Sequence, residues 1–126
     1  MSPEAKRPCV LLGNLEPLVR LGMSRVLGDD GVDVVAEEGH AADVVAHVMR
    51  LHPDTVVLGL DGSGGRELGE RVRAVAPDTK VILWMRDETE MEVFDPGSSS
   101  PRRIRTSVSG ALRSEVGTGP SRGEGK

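Results

Sequence analysis

Four short runs of apolar residues lie between residues 9 and 85, and within each run the apolar positions are mostly continuous. The runs cover residues 9–12, 32–36, 55–60 and 81–85. A strand with one face in water alternates apolar and polar residues, whereas a strand that is covered on both faces does not. The pattern therefore predicts four buried strands of a parallel sheet.

Between these strands lie three segments whose apolar residues recur with the spacing of a helix. The segments cover about residues 17–27, 41–51 and 66–76. Pro17 suits a first helical turn, Gly28 suits a helix stop, and Pro77 ends the third segment. Strands that alternate with helices through short connections predict an α/β fold with a mainly parallel sheet.

The regular alternation stops after Met85. Residues 91–94 (MEVF) are one further strand candidate, so close behind the fourth strand that no helix fits between the two. This candidate fits a parallel strand and an antiparallel hairpin equally well. A last, weak helix is predicted from Ile104 to about Val116, where apolar residues repeat every four positions.

The length of 126 residues leaves room for one domain. We expect this domain to cover residues 1–116, with regular βα units over 8–85 and a remodelled end over 86–116. Residues 117–126 contain no large apolar side chain and are predicted to be a disordered tail.

The composition narrows the possible functions. A net charge of −4 gives no general attraction to nucleic acid, and 2% aromatic residues argue against a protein that binds bases by stacking. A single cysteine excludes an internal disulfide and a cysteine-rich metal site. Because neither a signal peptide nor a membrane-length apolar run is visible, the chain is expected to be cytoplasmic and not to contact a membrane.

Charge is divided unevenly along the chain. Residues 101–126 hold six basic and two acidic side chains and so carry +4, while residues 1–100 carry −8. The basic cluster PRRIR contains Arg102, Arg103 and Arg105. It can contact phosphates or an acidic partner, or it can fold onto the protein's own acidic body. Nothing here has the pattern of a helix-turn-helix, so DNA binding by this chain alone is not expected.

The stretch from Val10 to Met85 resembles the receiver domain of response regulators, of the type that precedes a helix-turn-helix domain in transcription regulators. The phrases EPLVRLGM (16–23) and HPDTVVL (52–58) carry this resemblance, together with the order of strands and helices. It implies a receiver-like (flavodoxin-like) doubly wound α/β sandwich, here without a DNA-binding domain. The close spacing of the last strands implies that the usual fourth helix is lacking.

Receiver domains catalyse their own phosphorylation with five groups at the carboxyl ends of the strands. Two acids hold Mg²⁺, an Asp accepts the phosphoryl group, and a hydroxyl and a Lys bind its oxygens. By the resemblance, these positions are occupied here by Asn14, Leu15, Gly59, Met85 and, in place of Lys, Phe94 with Asp95. The resemblance therefore implies a degenerate phosphorylation pocket, with no catalytic residue, no metal and no cofactor.

The leading hypothesis is a non-enzymatic regulatory module that binds another protein or a second copy of itself. A homodimer is expected because a shortened end would leave Val81, Leu83, Trp84 and Met85 poorly covered, and the dimer could exchange the C-terminal segment. The predicted interaction surface consists of Trp84, Met91, Val93, Phe94, Arg102, Arg103 and Arg105.

Two other functions fit the sequence. In the first, the emptied pocket (Asn14, Leu15, Gly59, Met85) is apolar and holds a small ligand at the carboxyl ends of the strands. In the second, the chain is an unusual phospho-receiver that uses Asp61, which follows the acceptor position by two residues.

Overall fold

The computed structural model describes residues 8–38, 40–60, 64–85, 90–105 and 108–113. Within these ranges, the strands are β1 (Cys9–Gly13), β2 (Asp33–Glu38), β3 (Thr55–Gly59), β4 (Lys80–Trp84), β5 (Met91–Phe94) and β6 (Arg102–Ile104). The helices are α1 (Pro17–Asp29), α2 (Ala41–Leu51), α3 (Gly65–Val75) and α4 (Val108–Arg113).

The strands form one sheet with the order β2-β1-β3-β4-β5-β6. The pairs among β1 to β4 are parallel, whereas β5 and β6 are antiparallel to their neighbours. All five residues of β3 are buried, as expected for a central strand whose sequence is continuously apolar. The predicted α/β fold with a mainly parallel sheet is confirmed.

Each face of the sheet carries its own apolar core. One core contains residues of α1 and α4 with Val10, Leu12, Val57, Ile82, Met91 and Val93 from the sheet. The other contains residues of α2 and α3 with Leu11, Val56, Leu58, Val81 and Leu83. Neighbouring residues of one strand alternate between these two cores, because successive side chains point to opposite faces of a sheet. None of the helices in the described ranges combines the length and the apolar character that crossing a membrane requires.

The strand at residues 91–94 forms a hairpin with β4 and does not run parallel to it. Its residues pair in antiparallel register, with Leu83 opposite Glu92 and Val81 opposite Phe94. Strand β5 therefore covers the edge of β4. The expectation that Val81 and Leu83 would be poorly covered was wrong, since both side chains are buried.

The last helix begins later than its apolar spacing predicts. Ile104 belongs to β6, where it pairs with Met91, and α4 starts only at Val108. Gly97 adopts a φ of +79° in the turn that leads from β5 to β6, a conformation that glycine adopts without steric cost. The predicted helical residues beyond Arg113, and the tail at 117–126, lie outside the described residues.

Lys80 fixes the short helix α4 to the sheet. Its side chain is almost fully buried, and its Nζ donates hydrogen bonds to the carbonyl oxygens of Ala111 and Leu112 at 3.2 and 3.1 Å. A cation near the C-terminal carbonyls of a helix is favourable, because those carbonyls have no partner within the helix. This contact holds the C-terminal helix over the core beside α1.

Candidate functional site

The carboxyl ends of β1 and β3 meet at the position where the sequence predicted a degenerate pocket. Asn14 follows β1 and adopts a left-handed φ of 57°, which asparagine tolerates better than most residues. Its Nδ2 donates a hydrogen bond to the carbonyl oxygen of Gly59 at 3.0 Å. Its backbone N–H donates to the carbonyl oxygen of Glu38 at 3.0 Å. Asn14 thus ties the ends of three adjacent strands together.

Gly59, at the position of the phosphoryl acceptor, has no room for a side chain. A Cβ atom built there would lie 2.5 Å from the carbonyl oxygen of Asn14 and 2.9 Å from Cδ2 of Leu15. Leu15 is itself buried in the core beside α1. The space that an acceptor carboxylate would occupy is therefore filled by the backbone of Asn14 and the side chain of Leu15.

The start of α3 approaches β3 just as closely. Gly64 precedes the helix with a φ of +89°, and a Cβ at Gly65 would lie 2.6 Å from the Gly59 carbonyl oxygen. The glycines at 64 and 65 therefore allow this close contact between helix and strand. Asp61, the acceptor in the phospho-receiver alternative, lies outside the described residues.

The position that would carry the phosphate-binding Lys lies at the opposite end of the strands, near the start of β4. Because β5 is antiparallel to β4, its last residue Phe94 pairs with Val81 near the start of β4. Asp95 follows it and is only 5% exposed. A Lys at either position would therefore lie near the start of β4, whereas Gly59 pairs with Trp84 at its end. The hairpin thus separates the position aligned with the Lys from the positions aligned with the acids and the acceptor.

Glu38 lies next to the Asn14 loop, but its carboxylate is already engaged. It accepts a hydrogen bond from the backbone N–H of His40 at 3.0 Å and contacts Nε2 of His47 at 2.8 Å. Both hydrogen bonds lower the pKa of Glu38, and the bond from the His40 backbone has the larger effect. In the described ranges, no group of three or more His, Cys, Asp and Glu side chains is arranged to hold a metal ion.

Met85 lines a cleft on the neighbouring strands. The cleft has a volume of about 290 Å³ and is lined by Leu60, Arg66, Leu83, Met85, Glu90, Met91, Glu92 and Arg103. Arg66 crosses it with two hydrogen bonds of 2.8 Å to the two carboxylate oxygens of Glu92. This contact lowers the pKa of Glu92 and raises the pKa of Arg66. Sequence reasoning missed the pair because its members are 26 positions apart.

We expect Glu92→Gln to lower the free energy of unfolding at pH 7 by about 1 kcal/mol, since Arg66 is largely exposed and the pair is partly screened. A carboxyl group whose pKa is lowered by folding stabilises the protein above its unfolded pKa, and this contribution is lost as the pH falls through the folded value. The difference between wild type and variant should therefore shrink below about pH 4.5 in urea titrations at a series of pH values. A difference that stays constant between pH 7 and pH 3 contradicts this assignment.

The arginines of the PRRIR cluster pair with carboxylates of the same chain. Arg102 donates from Nη2 to Oδ1 of Asp95 at 2.9 Å, and this pairing raises the pKa of Arg102. Arg103 lies 3.5 Å from Glu92, and Arg105 lies 3.5 Å from Glu90. Of the two interpretations offered by the sequence, the structure shows the cluster folded onto its own acidic residues.

The predicted interaction surface is divided between the core and the exterior. Met91 and Val93 are buried in the core beside α1, because β5 is an inner strand between β4 and β6. Within a single chain, neither side chain is therefore available for contact with a partner. Trp84 and Phe94 are half-buried and pack against opposite cores. Arg103 and Arg105 have side chains that are 65% and 73% exposed.

Comparisons with known proteins give a structural match. Neither the models of protein families nor the curated proteins contain a match to this chain. A solved two-component response regulator of the LuxR family, from Aurantimonas sp. SI85-9A1, is 26% identical and superposes with a TM-score of 0.60 over 66% of this chain. The chain has a receiver-like fold. The matched region spans 61% of the length of that response regulator.

Proposed function

We propose that the chain is a receiver-like signalling module that takes no phosphoryl group and acts through contact with another protein or a second copy of itself. Its structural similarity to a response regulator supports a signalling role. The observation that carries the phosphorylation-independent part is the close approach at Gly59, where any side chain would overlap the Asn14 carbonyl. That the module works in the cytoplasm, without nucleic acid or a membrane, stays a prediction.

The chemistry of phosphoryl transfer explains why this geometry matters. The reaction depends on positioning and on neutralising the charge of the transferred group, usually with Mg²⁺ held by carboxylates. Asn14 offers an amide that already binds Gly59, and Leu15 offers no ligand at all. The side chains at the aligned positions therefore provide neither a nucleophile nor a carboxylate for the metal.

The small-ligand alternative gains no support from the emptied pocket. Among the described residues, the side chain of Leu15 and the backbone of Asn14 fill the space directly beside Gly59. The cleft beside Met85 is crossed by the Arg66–Glu92 ion pair, which a ligand would have to displace or accommodate. Protein contact therefore remains the better-supported mode of action.

The test of the proposal uses the fluorescence of the single tryptophan, Trp84, at the carboxyl end of β4. The chain is titrated with Mg²⁺ and then with beryllofluoride, which mimics a bound phosphoryl group. We expect no saturable change in emission. Unfolding in urea, which exposes the half-buried Trp84, shows that the probe responds to its surroundings.

A saturable response that requires Mg²⁺ would overturn the proposal. The variant Asp61→Asn then assigns the response: its loss in this variant would make Asp61 the acceptor and the chain a working phospho-receiver. A response that persists in the variant would place the phosphoryl mimic elsewhere, and would contradict the proposal equally.

A further inference from the structure

We infer that a cleft between the C-terminal ends of α2 and α3, the α2–α3 cleft, binds a small organic cation that joins an amine or guanidine group to an apolar body. The cleft has a volume of about 430 Å³, which exceeds that of the cleft beside Met85. Ligand sites in proteins commonly measure roughly 300 to 1,000 Å³. This inference goes beyond the proposed function, because the α2–α3 cleft lies at the end of the sheet opposite to Asn14 and Gly59.

The side walls of the α2–α3 cleft are apolar and belong to the last turns of the two helices. Met49 of α2 and Val75 of α3 line it, and their side chains are 57% and 44% exposed. Val48, which also lines the cleft, belongs to the buried core that α2 and α3 share. An apolar ligand body that covers these walls removes apolar surface from water, which favours binding.

The loops that lead into β3 and β4 form the polar end of the cleft, and hydrogen bonds hold them in place. Thr79 is only 7% exposed, and its Oγ1 donates to the carbonyl oxygen of Pro53 at 3.1 Å. Asp54 accepts from the backbone N–H of Cys9 at 2.8 Å through Oδ2, and from the N–H of Lys80 at 3.0 Å through its carbonyl oxygen. The cleft is thus formed before a ligand arrives, which lowers the cost of binding.

The charge of the lining favours a cation. Asp54 and Asp78 are both exposed and contribute two carboxylates, and no Lys or Arg stands among the described residues of the lining. His52 is the one side chain of that described lining that can become positive. Because α2 and α3 both end at the cleft, their last backbone carbonyls add partial negative charge there.

The arginines in the last turns of these helices are engaged elsewhere. Arg50 of α2 donates from Nη2 to Nδ1 of His47 at 2.8 Å. Arg73 of α3 lies over the ring of Phe94, 4.2 Å from its centroid, and donates to the carbonyl oxygen of Ser98. Neither arginine is among the described residues that line the cleft. The negative charge of the cleft therefore remains available to a ligand.

The combination of walls and charge determines the class of ligand. A bare metal ion would find only two carboxylates in the described lining and would leave Met49 and Val75 exposed. A neutral apolar molecule would cover the walls but leave Asp54 and Asp78 without a counter-charge. An alkylammonium or alkylguanidinium ion satisfies both parts of the cleft. Such a ligand would give a module that takes no phosphoryl group a separate chemical input.

The test titrates the ¹⁵N-labelled full chain with n-hexylamine at pH 7, where an alkylamine is protonated as lysine is. We expect saturable shifts of the backbone amide signals within residues 48–54 and 75–79. The dissociation constant should be on the order of 1 mM for so small a ligand. Hexanol lacks the charge and hexanoate reverses it, so both should bind at least about fivefold more weakly. Methylamine lacks the apolar body and should bind at least about tenfold more weakly.

Variants of the lining separate the two contributions. Asp78→Asn should weaken hexylamine binding by at least about threefold and leave hexanol binding unchanged, because it removes charge alone. Met49→Gln should weaken both by at least about threefold, because it replaces an apolar wall with a polar side chain. Two matched controls lie away from the cleft, namely Glu67→Gln in the first turn of α3 and Leu18→Gln at an exposed position of α1. Both controls should leave the affinity unchanged within about twofold.

The absence of saturable shifts up to about 50 mM hexylamine, a concentration far above the expected dissociation constant, would overturn the inference. So would shifts centred on other residues, hexanoate that binds as tightly as hexylamine, or equal losses for Glu67→Gln and Asp78→Asn. The comparison of ligands uses the unaltered chain, so it decides the inference even where a variant fails to fold. The result is also distinct from that of the beryllofluoride titration, which concerns the opposite end of the sheet.

Discussion

Replacing Gly59 with aspartate restores the residue of a phosphoryl acceptor, and we expect it to destabilise the fold by about 3 kcal/mol without creating a phosphorylation site. The Cβ of the new side chain would lie 2.5 Å from the carbonyl oxygen of Asn14, which is backbone and cannot rotate away. The loop after β1 would have to move, and the hydrogen bond from Asn14 Nδ2 to the Gly59 carbonyl would be strained or lost. The buried Leu15 side chain would also have to move.

The free energy of unfolding in urea measures this effect. The variant Gly59→Ala separates the cost of the Cβ atom from the cost of the rest of the aspartate side chain. Alanine adds only the Cβ, so it should cost most of the same free energy if the overlap with Asn14 dominates. Gly28 in α1 provides the matched control, because a Cβ there meets no described atom within 4 Å beyond its immediate helix neighbours. Gly28→Ala should change the stability by less than about 1 kcal/mol, and in the stabilising direction. Equal effects at positions 28 and 59 would contradict the close packing at Gly59.

The regular part of the fold could be predicted from the sequence because local patterns determine it. Strand β3 is continuously apolar and lies between two helical layers, so its sequence directly reflects its burial. The apolar residues of α2 and α3 recur at helical spacing and pack on one core. Asn14 and Gly59 lie together, as the aligned order of the units predicts, because β1 and β3 are parallel neighbours in the sheet. That these positions form a degenerate phosphorylation pocket stays a prediction.

The remodelled end could not be predicted in the same way. Ile104, Val108 and Leu112 repeat every four residues, which is the spacing of a helix, yet Ile104 pairs with Met91 in the sheet. The direction of β5 depends on hydrogen bonds with β4 and not on the alternation within MEVF, which both directions satisfy. Long-range pairing therefore overrides the local pattern at this end.

The exposed apolar surface of α1 also could not be predicted from the sequence. Apolar residues occur on more than one side of α1, so the periodicity does not show which side the sheet covers. The structure shows Leu27 in the core and Leu18 in water, whereas Val93 of the predicted interaction surface is fully buried. A pattern can identify apolar positions, but coverage depends on which elements pack against them.

Arg102→Met is expected to lower the free energy of unfolding by about 3 kcal/mol, because it leaves the carboxylate of Asp95 buried without its charge partner. Asp95 is only 5% exposed and accepts two hydrogen bonds from the guanidinium of Arg102, of which that from Nη2 measures 2.9 Å. The pair closes the turn between β5 and β6. Its loss should therefore loosen the hairpin, which amide hydrogen exchange in β6 would detect.

Arg105→Met provides the control from the same basic cluster. Its side chain is 73% exposed and lies 3.5 Å from Glu90, so its removal should cost less than about 1 kcal/mol. The double variant Asp95→Asn with Arg102→Met should recover part of the loss, because it removes the buried charge together with its partner. Equal costs for Arg102→Met and Arg105→Met would show that Arg102 is a surface cation. Unequal costs would assign Arg102 to the fold and leave Arg103 and Arg105 as the arginines of the cluster that a partner can reach.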